Sequence, residues 1–225
     1  MVKKIQVAID GPASSGKSTV AKLLAKRFNY VYCDTGAMYR SVTLTALRRH
    51  VDLSDQDAVI EIAKEISITF QPAEDNQRVF VDGQEVTRDI RSGEVSANVS
   101  AVAAIPAVRA QMTNQQRQIA CHGGIVMDGR DIGTTVLPDA EVKIFLVASA
   151  HERAARRYKE NVAKGIPTAS LAEIEKAIQL RDQKDSTRAV SPLRQAADAI
   201  RIDTTKMSID EVCDSIVRII KKALA

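Results

Sequence analysis

The segment Gly11-Pro12-Ala13-Ser14-Ser15-Gly16-Lys17-Ser18 constrains the fold of this chain more than any other. It fits the pattern G-x-x-x-x-G-K-[ST] of loops that wrap polyphosphates. Its flanks fit as well. The apolar run Ile5-Gln6-Val7-Ala8-Ile9 reads as a strand, and Val20-Ala21 with Leu23-Leu24-Ala25 reads as the inner face of a helix. A strand leading through a glycine loop into a helix aims backbone N–H groups and the positive end of the helix dipole at one point. The pattern predicts that residues 11–19, through Thr19, cradle the polyphosphate of a nucleoside triphosphate. Lys17 then reaches the β- and γ-phosphates and Ser18 ligates Mg2+.

The rest of the chain alternates. Tyr30–Cys33 reads as a second strand, followed by a helix from about Ala37 to His50 and another opened by Asp55. The hydrophobic period then switches to two at Ile66, Ile68 and Phe70. Asp82-Gly83 separates two such runs, a strong hairpin signal. A small antiparallel sheet is therefore expected within 62–92. Helical patterns cover 94–104 and 106–120. Strands follow at Ile125-Val126-Met127, at Val142–Val147 and at Ala199–Asp203. The last three helices are a basic one after Val147, one over 170–184, and one capped by Ser208. This order predicts an α/β fold of the P-loop NTPase type, three layers α/β/α around a parallel five-stranded sheet. The core is set at 1–61 and 103–225, with a helical lid at 153–170, and the inserted subdomain at 62–102.

Composition narrows the function classes. None of the apolar runs approaches the roughly 18 residues of a membrane helix. The N-terminus Met1-Val2-Lys3-Lys4 runs straight into the loop strand, so no targeting segment is expected and the protein is assigned to the cytoplasm. Cys33, Cys121 and Cys213 are too dispersed for a disulfide framework, and Cys121 reads as a small buried hydrophobe. A net charge of +4 favours anionic ligands. Aromatics at 4% and the lack of Trp argue against stacking on nucleic acid.

Polar clusters fall at predicted strand ends, where open α/β sheets bind ligands. Asp34-Thr35-Gly36 precedes Tyr39 and Arg40. Asp128-Gly129-Arg130-Asp131 closes another strand, and Asp128 could orient Mg2+ directly or through water. Arg153, Arg156 and Arg157 share one helix face, as do Arg181, Lys184 and Arg188, with Lys164 and Gly165-Ile166-Pro167 between the two groups. Such a basic hairpin can close over polyphosphate, or it can be a solvated face paired with Glu152, Glu160, Glu173 and Glu175. His50, His122 and His151 are scattered, with no acid partner in view. These residues alone leave open a kinase for UMP, AMP, thymidylate or shikimate, and a nucleotide-dependent switch. The chain has no Asn-Lys-x-Asp guanine motif.

Gly11–Ser18, Asp34–Arg40, Asp128–Thr134 and Arg181–Leu193 together resemble the bacterial cytidylate kinases, over essentially the whole chain. The resemblance implies transfer of the γ-phosphoryl of ATP to CMP or dCMP, with Mg2+, by a monomer that engages neither nucleic acid nor membrane. It implies that Ser100, Arg109 and Asp131 read the cytosine ring. Arg40, Arg130 and Arg188 hold the acceptor phosphate, and Arg181 and Asp185 meet the sugar. Thr35 stands where the family often has Ser and keeps the hydroxyl for CMP. Arg153 and Arg157 fall in the lid over ATP, and Lys17, Arg130, Arg157 and Arg188 surround the group in flight. The chemistry agrees: the exocyclic amine of cytosine donates to a carboxylate such as Asp131, whereas uracil presents a carbonyl there. A preference for cytosine over uracil is therefore expected.

Overall fold

The computed structural model describes residues 4–73, 77–163, 165–166 and 168–225. Residues 1–3 of the N-terminus, and Lys164 and Pro167 of the expected lid loop, lie outside the described residues. In chain order, β1 (Gln6–Asp10) leads into α1 (Lys17–Phe28), and β2 (Val31–Asp34) into α2 (Thr35–Arg48) and α3 (Gln56–Glu65). Next come β3 (Ile68–Pro72), β4 (Gln77–Val81), β5 (Gln84–Glu85), a 3-10 turn (Asp89–Arg91), α4 (Gly93–Val102) and α5 (Pro106–Ala120). The chain continues with β6 (Ile125–Gly129), a π-helical turn (Ile132–Val136), β7 (Val142–Val147) and α6 (Ala150–Ala163). It ends with α7 (Leu171–Thr187), β8 (Ile200–Asp203) and α8 (Ile209–Leu224).

These elements form two compact units. The first is Met1–Val31 with Gly123–Ala225, and the second is Tyr32–His122. The five-stranded sheet runs in the order β2-β6-β1-β7-β8. β1 is parallel to both β6 and β7, and β7 is parallel to β8, as the strand–helix alternation predicts. β1 and β6 are near-continuous buried runs, which is how a strand covered on both faces reads. In the first unit α1 packs on β6, and α8 packs on α1 and β7. Both α7 and α8 begin with capping boxes, Ser170 with Glu173 and Ser208 with Glu211.

The second unit holds the three-stranded antiparallel sheet β3-β4-β5. Its β4–β5 hairpin turns at Asp82 (φ 50°) and Gly83 (φ 80°), the doubly left-handed geometry that Asp-Gly favours. The unit surrounds one aliphatic cluster including Met38, Val42, Val59, Ile62, Val79, Ile90, Val99 and Met112. It extends beyond the 62–102 segment to take in α2, α3 and α5. Among the described residues, no helix is long and apolar enough to cross a membrane.

Candidate active site

The phosphate loop follows β1 directly. Gly11 has φ 149°, and a Cβ there would lie 2.1 Å from the carbonyl oxygen of Leu146, so only glycine fits. Gly16 (φ 90°) precedes α1, whose first turn has neither a side-chain cap nor an acid. The helix therefore begins with amide groups that an anion can satisfy. Ser14 holds a left-handed φ of 59°, strain of the kind found where a loop is shaped for a ligand. The loop's carbonyls are turned to protein donors: Pro12 accepts from Lys17 Nζ at 2.7 Å and Ala13 from Arg153 at 3.1 Å.

Lys17 is buried, and its Nζ also lies 3.4 Å from Ser15 Oγ. Burial, then the nearby Arg130, pulls its pKa well below the ordinary lysine value, while Asp128 and Asp10 push it back up. Triphosphate charge acts in the same direction as those two acids. Ser18 Oγ donates to Asp128 Oδ2 at 2.8 Å.

Past β6, Arg130 Nε bonds Asp185 Oδ2 at 3.0 Å, and both side chains are largely buried. Arg181 lies one turn before Asp185 on α7. Burial, then the charge of Arg130, lowers its pKa to about 10. Arg188 caps the C-terminus of α7, donates to the Ser191 carbonyl at 2.7 Å and sits 3.6 Å from Asp131 Oδ1. The first unit thus gathers Lys17, Asp128, Arg130, Asp131, Arg181, Asp185 and Arg188 around the C-terminal ends of β1 and β6.

The three arginines that share a face of α6 divide their labour. Arg153 is buried, bonded to the carbonyls of Ala148 and Ala13 and paired with Asp182 at 2.7 Å. Arg156 donates to the carbonyl and hydroxyl of Thr204 at 2.6 and 3.1 Å. Arg157 is half-exposed, 3.8 Å from Glu160, and near enough to Arg181 to repel it. The solvated-face reading therefore applies to Arg157 and in part to Arg156, which also pairs with Glu152 at 3.2 Å, and not to the buried Arg153. Nearby, His151 pairs with Glu175 at 3.1 Å, a partner that its isolation in sequence did not suggest.

In the second unit Thr35 is buried at the start of α2, where Asp34 accepts the N–H of Ala37 at 3.0 Å. Arg40 donates to the Ile90 carbonyl at 3.1 Å and to Ser96 Oγ at 2.9 Å. Ser100 is half-buried one turn further along α4, on the face that carries Ser96. Arg109 is buried on α5, donates to the Ala103 carbonyl at 3.1 Å and stacks 5.2 Å from the Tyr39 ring centroid. Thr113 and Gln116 extend that buried stripe, and among the described residues both amide atoms of Gln116 are without a hydrogen-bond partner. Cys121 is exposed, contrary to expectation, because it lies at the C-cap of α5 as the chain leaves the helix. Sequence reasoning passed over Asp10 and Thr204 and gave Arg156 no role of its own. The signal for Asp10 was an acid ending an apolar strand just before a glycine loop.

A glycine loop between a central parallel strand and an uncapped helix, with a buried lysine and a cluster of arginines held by acids, defines a P-loop phosphotransferase of the nucleoside monophosphate kinase type. The family model of cytidylate kinases matches residues 7–222, and the chain belongs to that family. It is 70% identical over 222 residues to a cytidylate kinase of Limosilactobacillus reuteri, covering 99% of this chain and 97% of the relative. It is 67% identical over 224 residues to that of Limosilactobacillus fermentum, covering 100% and 99%. Among solved structures it is similar to an uncharacterized protein from Eubacterium ventriosum (TM-score 0.54, 14% identity, covering 98% and 99%). It is also similar to a shikimate kinase from Acinetobacter baumannii in complex with shikimate (TM-score 0.50, 14% identity, covering 98% and 95%). At that identity these two speak for the fold alone. The enzyme transfers a phosphoryl group from ATP to CMP or dCMP, giving CDP or dCDP and ADP.

Proposed function

We propose that the transfer is in line, needs no covalent intermediate, and rests on alignment and charge neutralisation by side chains of the first unit. The acceptor is already an anionic phosphate oxygen, so no strong general base is required. Lys17, Arg130, Arg157 and Arg188 surround the group in flight, and Arg157, with Arg153 behind it, belongs to the lid at 153–170 that closes on ATP. The acceptor phosphate falls to Arg40, Arg130 and Arg188, and Thr35 is a further CMP contact. Arg181 and Asp185 take the sugar, and Ser100, Arg109 and Asp131 take the cytosine ring. The 62–102 segment acts as the inserted acceptor-binding subdomain.

Ser18 and Asp128 offer a hydroxyl and a carboxylate, oxygen donors that suit Mg2+. Ser18 would hold the ion directly, and Asp128 would hold it directly or through a water. When bound, the ion offsets charge on the β- and γ-phosphates. We take the enzyme to work as a cytoplasmic monomer on ATP and CMP or dCMP, with no part for nucleic acid or membrane.

The observation that carries this reading is the pairing of Arg130 with Asp185 at 3.0 Å beside a buried Lys17. Cations already held by acids need little reorganisation when a phosphoryl group passes. The test is ADP formation from Mg·ATP with CMP, dCMP, UMP, AMP, dTMP or no acceptor. Rapid turnover with CMP and dCMP and weak turnover with UMP are expected. Equal turnover with UMP would remove Asp131 from base reading, and acceptor-independent hydrolysis would overturn the in-line role of the cation cluster.

A further inference from the structure

Asp10 takes no part in the scheme above, yet it is the last residue of β1 and directly precedes Gly11 of the phosphate loop. Its side chain is buried and both carboxylate oxygens are used. Oδ1 accepts the N–H of Ile132 and Oδ2 that of Gly133, each at 2.8 Å. These are the first amides of the π-helical turn that starts just after Asp131. The carbonyl of Asp131 in turn accepts from the amides of Thr135 and Val136 at 2.9 and 3.2 Å. The turn is thus closed by its own bonds at one end and clamped at the other by a carboxylate from the adjacent strand. The fit is close: a Cβ on Gly133 would lie 3.5 Å from Asp10 Oδ2 and 3.3 Å from the Lys143 side chain.

A buried carboxylate is an unfavourable way to satisfy two amides that a carbonyl or a water would serve. Burial raises its pKa to about 6 in spite of both bonds, with Asp131 adding repulsion and Lys17 attraction. What the carboxylate supplies and a single acceptor does not is a two-point grip. That grip fixes both the position and the rotation of the peptide units that follow Asp131.

We infer that Asp10 is a positioning residue for base selection: by holding Ile132 and Gly133 it fixes where Asp131 presents its carboxylate, and so sets the discrimination of cytosine from uracil. This rests on the reading that Asp131 contacts the base. It also gives the loops for donor and acceptor one anchor, the end of β1.

The test compares kcat/KM for CMP and for UMP at saturating Mg·ATP and neutral pH in the unaltered enzyme, Asp10→Asn, Asp131→Ala and the double variant. The carboxamide of Asp10→Asn keeps one acceptor and turns an NH2 against the other amide. The CMP/UMP ratio does not depend on how much enzyme is folded, so a poorly folding variant still answers. Asp131→Ala should remove most of the ratio. Asp10→Asn should lower it about tenfold, the size expected when a reading group is displaced by a fraction of an ångström to an ångström. The KM for ATP should change far less. The double variant should be no worse than Asp131→Ala, since both act through one group. A ratio unchanged in Asp10→Asn but lost in Asp131→Ala would overturn the inference, as would additive losses in the double variant. A ratio unchanged in Asp131→Ala would show that the base-reading assignment itself is wrong, and the inference would fall with it.

Discussion

In the first unit the buried charged residues include Asp10, Lys17, Asp128, Asp131, Lys143, Arg153 and Asp185, and the side chains of Arg181 and Arg188 are buried as well; in the second, among the described residues, Arg109 is the one buried charged residue. The other buried polar groups of the second unit are neutral: Thr35, Ser41, Thr43, Thr113 and Gln116. Acids and cations nearly cancel in the first unit, and the contacts follow that balance. Arg130 is held by Asp185, Arg153 by Asp182, and Lys143 by Asp198. Burying ions is unfavourable unless each is compensated. A unit that nevertheless buries so many is suited to meeting the charge of a transferring phosphoryl group with dipoles already in place. The second unit buries an aliphatic cluster and a short polar stripe that carries Arg109, the residue proposed above to meet the cytosine ring.

The contrast would break most visibly at Lys17. Lys17→Ala should lower kcat by roughly 10²–10³ or more, as expected for removal of a preorganised charge contact to the transition state. Affinity for CMP, measured by equilibrium titration, should change little. A loss in CMP affinity as large as the loss in turnover would mean that charge in the first unit does not act mainly on transfer. Arg109→Met, in the second unit, should do the reverse. It should raise KM for CMP by about 10–100-fold, the range for losing a charged hydrogen bond, with a much smaller change in kcat. Steady-state kinetics with both substrates varied separates the two patterns.

Acid titration sharpens the comparison from the side of stability. The carboxyl of Asp10 titrates near 6 in the folded protein, against 3.8 for an ordinary aspartate. The folded state therefore holds this proton more tightly than the unfolded chain. The stability it contributes is present in full below pH 3.8 and is lost as pH rises through about 6. Asp10→Asn removes that loss. Relative to the unaltered protein, its Tm should rise between about pH 4.5 and pH 7, by an amount on the order of 2–3 kcal/mol in stability. A difference in Tm that is flat over this range would mean that Asp10 is no more desolvated than an ordinary surface acid.

Much of this arrangement was legible in the chain, and the parts that were not share a cause. The strand–loop–helix at residues 6–28 and the Asp82-Gly83 hairpin are local patterns, and they appear where the residues indicate. The bounds drift where side chains extend a helix: α7 runs to Thr187 rather than ending at Lys184, with the Ser186 and Thr187 hydroxyls bonding carbonyls one turn back. The π-helical turn was invisible because its clamp, Asp10, lies 122 residues from Ile132 in sequence. Likewise, periodicity placed Arg153 and Arg157 on one helix face but could not separate them. What buries Arg153 against the phosphate loop is the carbonyl of Ala13, 140 residues away. Pattern reading finds elements; contacts of that reach decide which charged residue of a helix is anchored and which is left to move.

The smallest expected effect concerns Gln116, the residue that fits the contrast least well. It is 1% exposed and, among the described residues, neither amide atom has a partner, whereas Arg109 on the same stripe donates through one guanidinium nitrogen to the Ala103 carbonyl. Leaving such an amide unpaired costs about 1–3 kcal/mol. Leu at this position has a similar volume and no polar atoms, so Gln116→Leu should stabilise the unliganded protein by about 1–2 kcal/mol, seen as a rise of a few degrees in Tm. Should the amide instead gain partners when CMP binds, the same substitution would raise KM for CMP and shrink the increase in Tm that CMP produces. Measuring both separates a neutral specificity group from an imperfection of packing. A destabilised unliganded variant would show that Gln116 is already paired there and is neither a packing imperfection nor a group reserved for the ligand.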